Sequence, residues 1–174
     1  MDRHAGQSLV ETAIVLSVLG ILTMAAVPSL LDWSRGRRAN AFASLLHTEL
    51  SLARNTAIVR GHRTVLCRST NGEQCQFSGP WTQGFLSFVD VDGNGDRSSV
   101  EPVLRVAGSA EFHQLHVGIS ESRRIIAFRP DGRGGGTNLT AVVCDASGTA
   151  RRTVVISVAG RVRLGQPAAN QGCT

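Results

Sequence analysis

The chain contains no lysine and no tyrosine, and all 18 of its basic residues are arginine. Without lysine there is no phosphate-binding loop that ends in Lys-Ser or Lys-Thr, so the glycine-rich run Gly132–Gly136 is better explained as a turn. The serine nucleophile motif Gly-x-Ser-x-Gly is absent as well. These absences exclude the common enzymatic classes, and we predict a protein that is not an enzyme and uses no cofactor.

Charge is scarce and unevenly distributed. Charged residues make up 18% of the chain and apolar residues 42%, which is the composition of a folded protein of 174 residues and not of a disordered one. From Arg123 onward, eight arginines face two aspartates, a net charge of +6, although the whole chain carries only +5. GC-rich codon usage would explain the missing lysine but not this asymmetry. A basic C-terminal third suggests a polyanionic partner, either nucleic acid or acidic lipid.

A long apolar run, Ala13–Leu31, lies near the N-terminus. It is long enough to span a bilayer or nearly so, and no small-residue cleavage boundary of a secretory signal follows it. Arg35, Arg37 and Arg38 come shortly after the run. The positive-inside rule, taken alone, would place this arginine cluster in the cytoplasm.

Glu11 follows Leu9 and Val10 at the start of the apolar segment, where a carboxylate is costly unless it finds a partner or sits at the membrane edge. The surrounding segment Ala5–Glu11 resembles the leader-peptidase site of type IV pilins and type II secretion pseudopilins. In that family a short leader ends in Gly, cleavage follows it, and the fifth mature residue is Glu. Gly6 and Glu11 match this pattern, and Pro28 matches the spacing of the family's helix kink. Gln7 stands where the family usually has Phe.

The resemblance implies a leader peptide, residues 1–6, that the prepilin peptidase removes between Gly6 and Gln7. The new amine, which the family methylates, would pair with Glu11 of a neighbouring subunit, because two charges that are each costly in low dielectric become tolerable together. Residues 7–31 would then form a membrane anchor before assembly and the core of a filament afterwards.

Beyond the run, apolar residues recur at steps of three and four, which predicts that residues 32–60 form an amphipathic half-helix packed on a globular domain. The apolar stripe contains Ala39, Phe42, Leu45, Leu46, Leu50, Ala53 and Ala57. The polar residues largely between them are Arg38, Asn40, His47, Glu49 and Arg54. Gly61 is a plausible helix cap, so we expect the helix to end near Arg60.

From residue 61 to residue 174 the apolar period changes to two, and glycine-rich turns separate short segments. The predicted strands are Thr64–Cys67, Phe85–Val89, Pro102–Ala107, Phe112–Val117, Arg124–Phe128, Leu139–Cys144 and Thr153–Val158. With 19 glycines and no second long helical pattern, this domain should be mostly antiparallel β. The fold class is therefore α+β.

Five further motifs narrow the resemblance, and their order spans the chain almost end to end. They are Leu52–Ala57, Trp81 with Gly84, Phe88–Asp90, Phe128–Gly132 and Gly160–Arg163. Together they resemble the GspH/FimT group of minor pilins and pseudopilins, most closely FimT. The resemblance implies a type IV pilin-like fold, a long N-terminal helix carrying a domain of two β-sheets. It also implies a single-pass inner-membrane protein with its domain in the periplasm, later part of a pilus at the cell surface among other pilins.

The FimT branch is associated with DNA binding during natural transformation through a Gly-Arg-x-Arg motif, which Gly160-Arg161-Val162-Arg163 matches. If a strand resumes after Gly160, Arg161 and Arg163 project from one face, and planar guanidinium groups suit phosphate oxygens. Arg151, Arg152 and Arg133 would extend the patch.

Without a base-stacking aromatic beside this patch, binding to double-stranded DNA should be independent of sequence. The alternative is an edge strand whose charges prevent aggregation. The protein would then be a structural minor pilin or pseudopilin that primes assembly or caps the tip.

Four cysteines, all beyond the apolar run, suggest two disulfides in an exported domain. Of the three possible connectivities we predict Cys67–Cys75, which closes a short hairpin, with Cys144–Cys173, which links the tail to a strand. This pairing asks for the least rearrangement of the chain.

One loop matches the twelve-residue calcium-binding pattern at every required position. Its candidate ligands are Asp90, Asp92, Asn94, Asp96 and Glu101. The flanking segments, however, are strand-like where an EF-hand has helices, and Asp-Gly and Asn-Gly are ordinary hairpin residues. We therefore predict a turn rather than a metal site.

Overall fold

The computed structural model describes residues 9–108, 112–119, 123–136 and 138–173. A single helix, α1, runs Leu9–Arg60 with Pro28 inside it, so the predicted helix and its C-terminal end are confirmed. The chain divides into two compact units, which meet in the sequence between Arg35 and Gly36. By length and composition α1 could cross a membrane, and its most apolar stretch is not buried by the described part of the chain.

The described residues of the second unit form eight strands in two antiparallel sheets. The strands are β1 Arg63–Arg68, β2 Phe85–Asp90, β3 Val103–Ala107, β4 His116–Gly118, β5 Ile125–Phe128, β6 Leu139–Cys144, β7 Ala150–Ile156 and β8 Val162–Gly165. The first sheet has the order β3-β2-β1-β5 and the second the order β4-β6-β7-β8. The predicted α+β class with two sheets is therefore confirmed.

Two strand predictions need correction. The strand expected at Phe112–Val117 is reduced to β4, because the backbone N–H of Leu115 donates to the carbonyl of Phe112 (2.9 Å) and turns the chain. This turn lets both apolar side chains face the core. β8 was not among the predicted strands, since its four residues follow Gly160 closely, end at Gly165 and are too few for a clear alternation.

The main hydrophobic core lies between the second half of α1 and the inner faces of the two sheets. The helix contributes Ala39, Phe42, Ala43, Leu46, Leu50, Ala53 and Ala57, all buried. The predicted apolar stripe is thus the packed face of the helix, with Leu45 only partly buried at its edge.

Glu49 departs from the expected polar face of the helix, since only 1% of it is exposed. Its Oε1 accepts a hydrogen bond from Nε of Arg105 (3.0 Å), whose side chain on β3 is 58% exposed, while its Oε2 has no hydrogen-bond partner among the described residues. Helical geometry places Glu49 beside the apolar stripe, and its cation comes from 56 residues further along the chain. No local pattern could have shown this.

A second, smaller apolar cluster covers the outer face of the first sheet. It contains Val65, Cys67, Leu86, Phe88 and Ala127, with Cys75 and Ile125 packed against it. Every residue of β2 is consequently buried, on both faces of the sheet.

Candidate nucleic-acid interface

Three of the sequence motifs meet at the point where β7 turns into β8. Nε of Arg54, on α1, donates a hydrogen bond to the carbonyl oxygen of Gly132 (2.9 Å), in the loop after β5. Gly160, in the β7–β8 turn, has φ +77°, and a Cβ there would lie 1.8 Å from that same oxygen and 2.9 Å from Nε of Arg54. Both the backbone conformation and the close approach therefore require glycine.

The loop after β5 is bound to this turn along its length. The N–H of Arg129 donates to the carbonyl of Arg133 (2.9 Å), and the N–H of Gly134 donates to the carbonyl of Val158 (3.0 Å). The loop and the turn together bring Arg129, Arg133 and Arg161 to one end of the domain, and all three are exposed. We call these three residues the arginine pole.

Asp131 is the acidic residue within the loop of this pole. Its Oδ2 is 3.8 Å from Nε of Arg133, and both side chains are more than half exposed. An exposed pair at this distance is screened by solvent and contributes little. The pole therefore keeps a net positive charge.

Arg161 and Arg163 lie on the outer face of the second sheet. The carbonyl of Arg161 accepts from the N–H of Ser157 (3.0 Å), and Arg163 stands opposite Val155 in β7. Val162, between the two arginines, packs against the main core. Because side chains alternate along extended chain, both guanidinium groups point away from the core, as the spacing predicts.

Arg151 and Arg152 are not brought together with the pole. Nη2 of Arg151 is 2.7 Å from Oδ2 of Asp145, and Nε of Arg152 donates to Oδ1 of Asn40 on α1. Arg152 precedes Ser157, the partner of Arg161, by five residues, which is about 17 Å along a strand. The predicted patch thus loses these two residues and gains Arg129, which the Phe128–Gly132 motif could have indicated.

Asp145 is a buried carboxylate that accepts several hydrogen bonds. Burial opposes its ionisation, but hydrogen bonds from the side chains of Ser147 and Arg151 and from the backbone outweigh burial and lower its pKa to about 2. The N–H groups of Ser147 and Thr149 both donate to its Oδ1, at 2.9 and 3.1 Å. Asp145 therefore stabilises the β6–β7 turn, and Arg151 contributes to the same turn by binding the Asp145 carboxylate.

The calcium-like loop uses its carboxylates internally. Oxygens of Asp90, Asp92 and Glu101 lie within 4.8 Å of one another. Oδ2 of Asp90, however, is 2.8 Å from Nη1 of Arg63, and the Glu101 carboxylate accepts from the N–H groups of Val91 (2.7 Å) and Ser98 (2.9 Å).

Asp92, Asn94 and Asp96 are exposed and accept hydrogen bonds from their immediate neighbours in the loop. Burial raises the pKa of Asp90, and the Arg63 charge only partly offsets it. The hydrogen bonds to these side chains stabilise the loop as a turn.

The predicted processing site falls at the edge of the described chain. Gly6 and Gln7 lie outside the described residues. Glu11 is in the first turn of α1 and is exposed. An acidic side chain there is compatible with the positive end of the helix dipole.

Both predicted disulfides are present. Cys67 and Cys75 have Cα atoms 5.5 Å apart, and Cys144 and Cys173 have Cα atoms 6.1 Å apart. The first closes the loop over the outer face of β1, and the second ties the C-terminal tail to β6. No cysteine is free.

A long N-terminal helix whose second half packs on two antiparallel sheets is the architecture of pilin-like subunits. The chain resembles the type IV minor pilin FimU of Pseudomonas aeruginosa, with 22% identity, a TM-score of 0.61, and coverage of 79% of this chain and 96% of that one. It also resembles the minor pseudopilin EpsH of the Vibrio cholerae type 2 secretion system, with 13% identity, a TM-score of 0.52, and coverage of 75% and 98%.

The sequence model of the family described as Type II transport protein GspH matches residues 43–160. The chain therefore belongs to this GspH family, and the two solved structures show that it shares the fold of a type IV minor pilin and of a minor pseudopilin. A sequence search of curated proteins finds no match.

Proposed function

We propose that this protein is a minor pilin that binds extracellular double-stranded DNA without sequence preference during DNA uptake in natural transformation. The observation that carries the proposal is the convergence of the arginine pole with Arg163. Two segments that are distant in sequence place four exposed guanidinium groups on one end and one adjoining face of the domain. Such groups bind phosphate oxygens bidentately, and contacts to the DNA backbone carry no sequence information.

The proposal also includes the steps by which the subunit is processed, held in the membrane and assembled into a pilus. The prepilin peptidase cleaves after Gly6, and the mature chain stays in the inner membrane as a single-pass protein with its domain in the periplasm. It then enters a pilus, where the Gln7 amine pairs with Glu11 of a neighbouring pilin. The apolar first half of α1, which the described chain leaves uncovered, supports this path.

One observation favours a second function, that of a purely structural subunit that primes assembly or caps the tip. Gly160 is required by its contact with Gly132 and Arg54, so folding alone explains the glycine of the Gly-Arg-x-Arg motif. The arginines of the motif then decide between the two functions, because their side chains make no described contact that the fold needs.

The test is a gel-shift titration of the full chain in non-ionic detergent with AT-rich and GC-rich duplexes at several salt concentrations. Each phosphate contact contributes about −0.9 to the slope of log affinity against log salt, so Arg161→Ala with Arg163→Ala should flatten the slope by about 2. Replacing both by lysine should give intermediate affinity, because the charge remains and the bidentate geometry does not.

The matched control is Arg35→Ala with Arg124→Ala, which removes the same charge from two exposed arginines outside the pole. This control should bind both duplexes nearly as well as the parent chain. If the folded Arg161/Arg163 variant and the control bind DNA equally well, the structural function is the better one.

A further inference from the structure

A pocket of about 490 Å³ lies within the second unit and is lined from two separate parts of the chain. Arg68, at the end of β1, belongs to the first part, together with Phe77 and Trp81 in the segment that leads to β2. Residues 117–119, at the end of β4, and Cys173 belong to the second part. None of the described residues that line the pocket is acidic.

Each of these two parts is held by a disulfide bond. Cys67, next to Arg68, is bonded to Cys75 in the loop that follows β1. Cys173 is bonded to Cys144 on β6, the strand that pairs with β4. The walls of the pocket are therefore fixed before a ligand arrives, which lowers the entropic cost of binding.

Arg68 gives the pocket a positive charge with which no described carboxylate forms an ion pair. Its Nη1 and Nη2 donate to the carbonyl oxygens of Gly79 (3.0 Å) and Phe77 (2.6 Å), and its guanidinium carbon lies 5.4 Å from the centre of the Trp81 ring. Burial lowers the pKa of Arg68, because the cation is partly removed from water. A guanidinium has five N–H groups, so each Nη keeps one N–H for an anion in the pocket.

The rest of the lining suits an extended peptide. β4 is at the edge of the second sheet, where among the described strands only β6 pairs with it. Its other edge can therefore add an extended segment of another chain through backbone hydrogen bonds. Phe77, which is 41% exposed, and the partly buried Val117 and Ile119 offer apolar contacts to the residues that flank a carboxylate in such a segment. One cation among apolar side chains fits a single carboxylate better than the row of phosphates in a nucleic acid.

We propose that this pocket binds an extended, acidic segment of a neighbouring subunit in the filament. The segment adds to β4 as an outer strand, and one of its carboxylates accepts hydrogen bonds from the remaining N–H groups of Arg68. The pocket thus recognises a partner subunit by charge and by backbone pairing. The proposal rests on the filament membership in the proposed function, and it is independent of DNA binding.

The test is a peptide titration of the full chain in non-ionic detergent, followed by the fluorescence of Trp81, whose ring lies against Arg68. The chain has two tryptophans, so Trp33→Phe is introduced throughout to leave Trp81 as the reporter. The probe is the blocked pentapeptide acetyl-Val-Thr-Glu-Val-Thr-amide, and the reference probe has Gln in place of Glu. We expect saturable binding of the Glu probe and at least about tenfold weaker binding of the Gln probe, because a hydrogen bond to a charged group is worth about that factor or more.

Arg68→Gln should weaken binding of the Glu probe at least about tenfold and leave binding of the Gln probe unchanged. If Arg68→Gln does not fold, Phe77→Ala serves instead. It keeps the backbone carbonyl that Arg68 binds and removes an apolar contact, so both probes should bind more weakly. The matched control is Arg124→Gln, which removes an exposed arginine outside this pocket and should bind both probes like the parent chain.

Absence of saturable binding, or equal binding of the Glu and Gln probes, would overturn the proposal. Displacement of the Glu probe by an equal concentration of inorganic phosphate would also overturn it, because the site would then be a general anion site. A third probe with proline at the four positions around Glu keeps the charge but lacks the backbone N–H groups for strand addition. Binding of this probe as tight as that of the Glu probe would refute the pairing with β4.

Two further measurements separate this proposal from the proposed function. In DNA gel shifts Arg68→Gln should behave like the parent chain, and loss of DNA binding in this variant would assign the pocket to DNA instead. Arg161→Ala with Arg163→Ala should still bind the Glu probe. Recovery of the chain in sheared filaments without any peptide binding would overturn the pocket alone, whereas absence from filaments would contradict the filament membership on which both proposals depend.

Discussion

Replacing Gly160 by alanine should be one of the most destabilising single-methyl changes in the domain. The residue has φ +77°, a conformation that costs an L-residue about 1–2 kcal/mol. The new Cβ would also lie 1.8 Å from the carbonyl oxygen of Gly132, so the loop must move and the hydrogen bond from Arg54 must stretch. Such overpacking costs about 1–3 kcal/mol more, for a total loss of about 2–5 kcal/mol.

Gly148→Ala provides the matched control. Gly148 has φ +80°, but nothing lies within 4 Å of its added Cβ, so it should lose only the backbone share of about 1–2 kcal/mol. The assay is urea unfolding of the full chain in detergent followed by far-UV circular dichroism, with the free energy of unfolding taken by linear extrapolation. Equal losses for the two variants would show that the contact of Gly160 with Gly132 is not tight, and the steric argument would fail.

Four other predictions test different parts of the molecule. Arg105→Ala should cost about 2–3 kcal/mol, measured by urea unfolding, because it leaves a buried carboxylate alone, whereas Glu49→Met should cost under about 1 kcal/mol; equal costs would refute the asymmetry. The pKa of Asp145 is lower in the folded than in the unfolded chain, so its ionised form should add about 2 kcal/mol to the free energy of unfolding above about pH 4. This contribution should disappear as the pH falls toward 2. Asp145→Asn should remove that part of the dependence of stability on pH. Glu11→Ala should insert in membranes but be scarce in sheared filaments, and normal recovery would contradict the pairing. A bulky residue at Gly6 should leave the precursor uncleaved, and a mature mass would contradict the leader assignment.

The elements that the sequence predicts best are those with local causes. An apolar run and a stripe at helical spacing are enough to define α1 to its last residue, and alternation with glycine turns locates most strands. The pairing of the cysteines was predicted by choosing the connectivity that needs the least rearrangement of the chain. The failures at Phe112–Val117 and at β8 come from segments of three or four residues, where a turn and a strand have the same local pattern.

The site was predictable only in part, because its geometry depends on contacts between distant segments. The motif around Arg161 and Arg163 indicated two of the exposed arginines and their common face. The bond from Arg54 to Gly132, 78 residues apart, and the bond from Gly134 to Val158 hold the loop of Arg129 beside the turn that carries Arg161. Arg152 is removed from the patch by Asn40, 112 residues away. No spacing rule reaches across such separations.

The complete burial of β2 has a consequence for how this chain can change over evolutionary time. Each side chain from Phe85 to Asp90 meets packed neighbours, so a substitution there requires a matching substitution elsewhere. The edge strands β3 and β8 carry mostly exposed or half-exposed side chains, so their positions other than Arg105 and Val162 tolerate independent drift. We expect related subunits to diverge in what they recognise along these two edges. A new binding specificity should therefore be engineered by substitutions on β3 and β8, with β2 left unchanged.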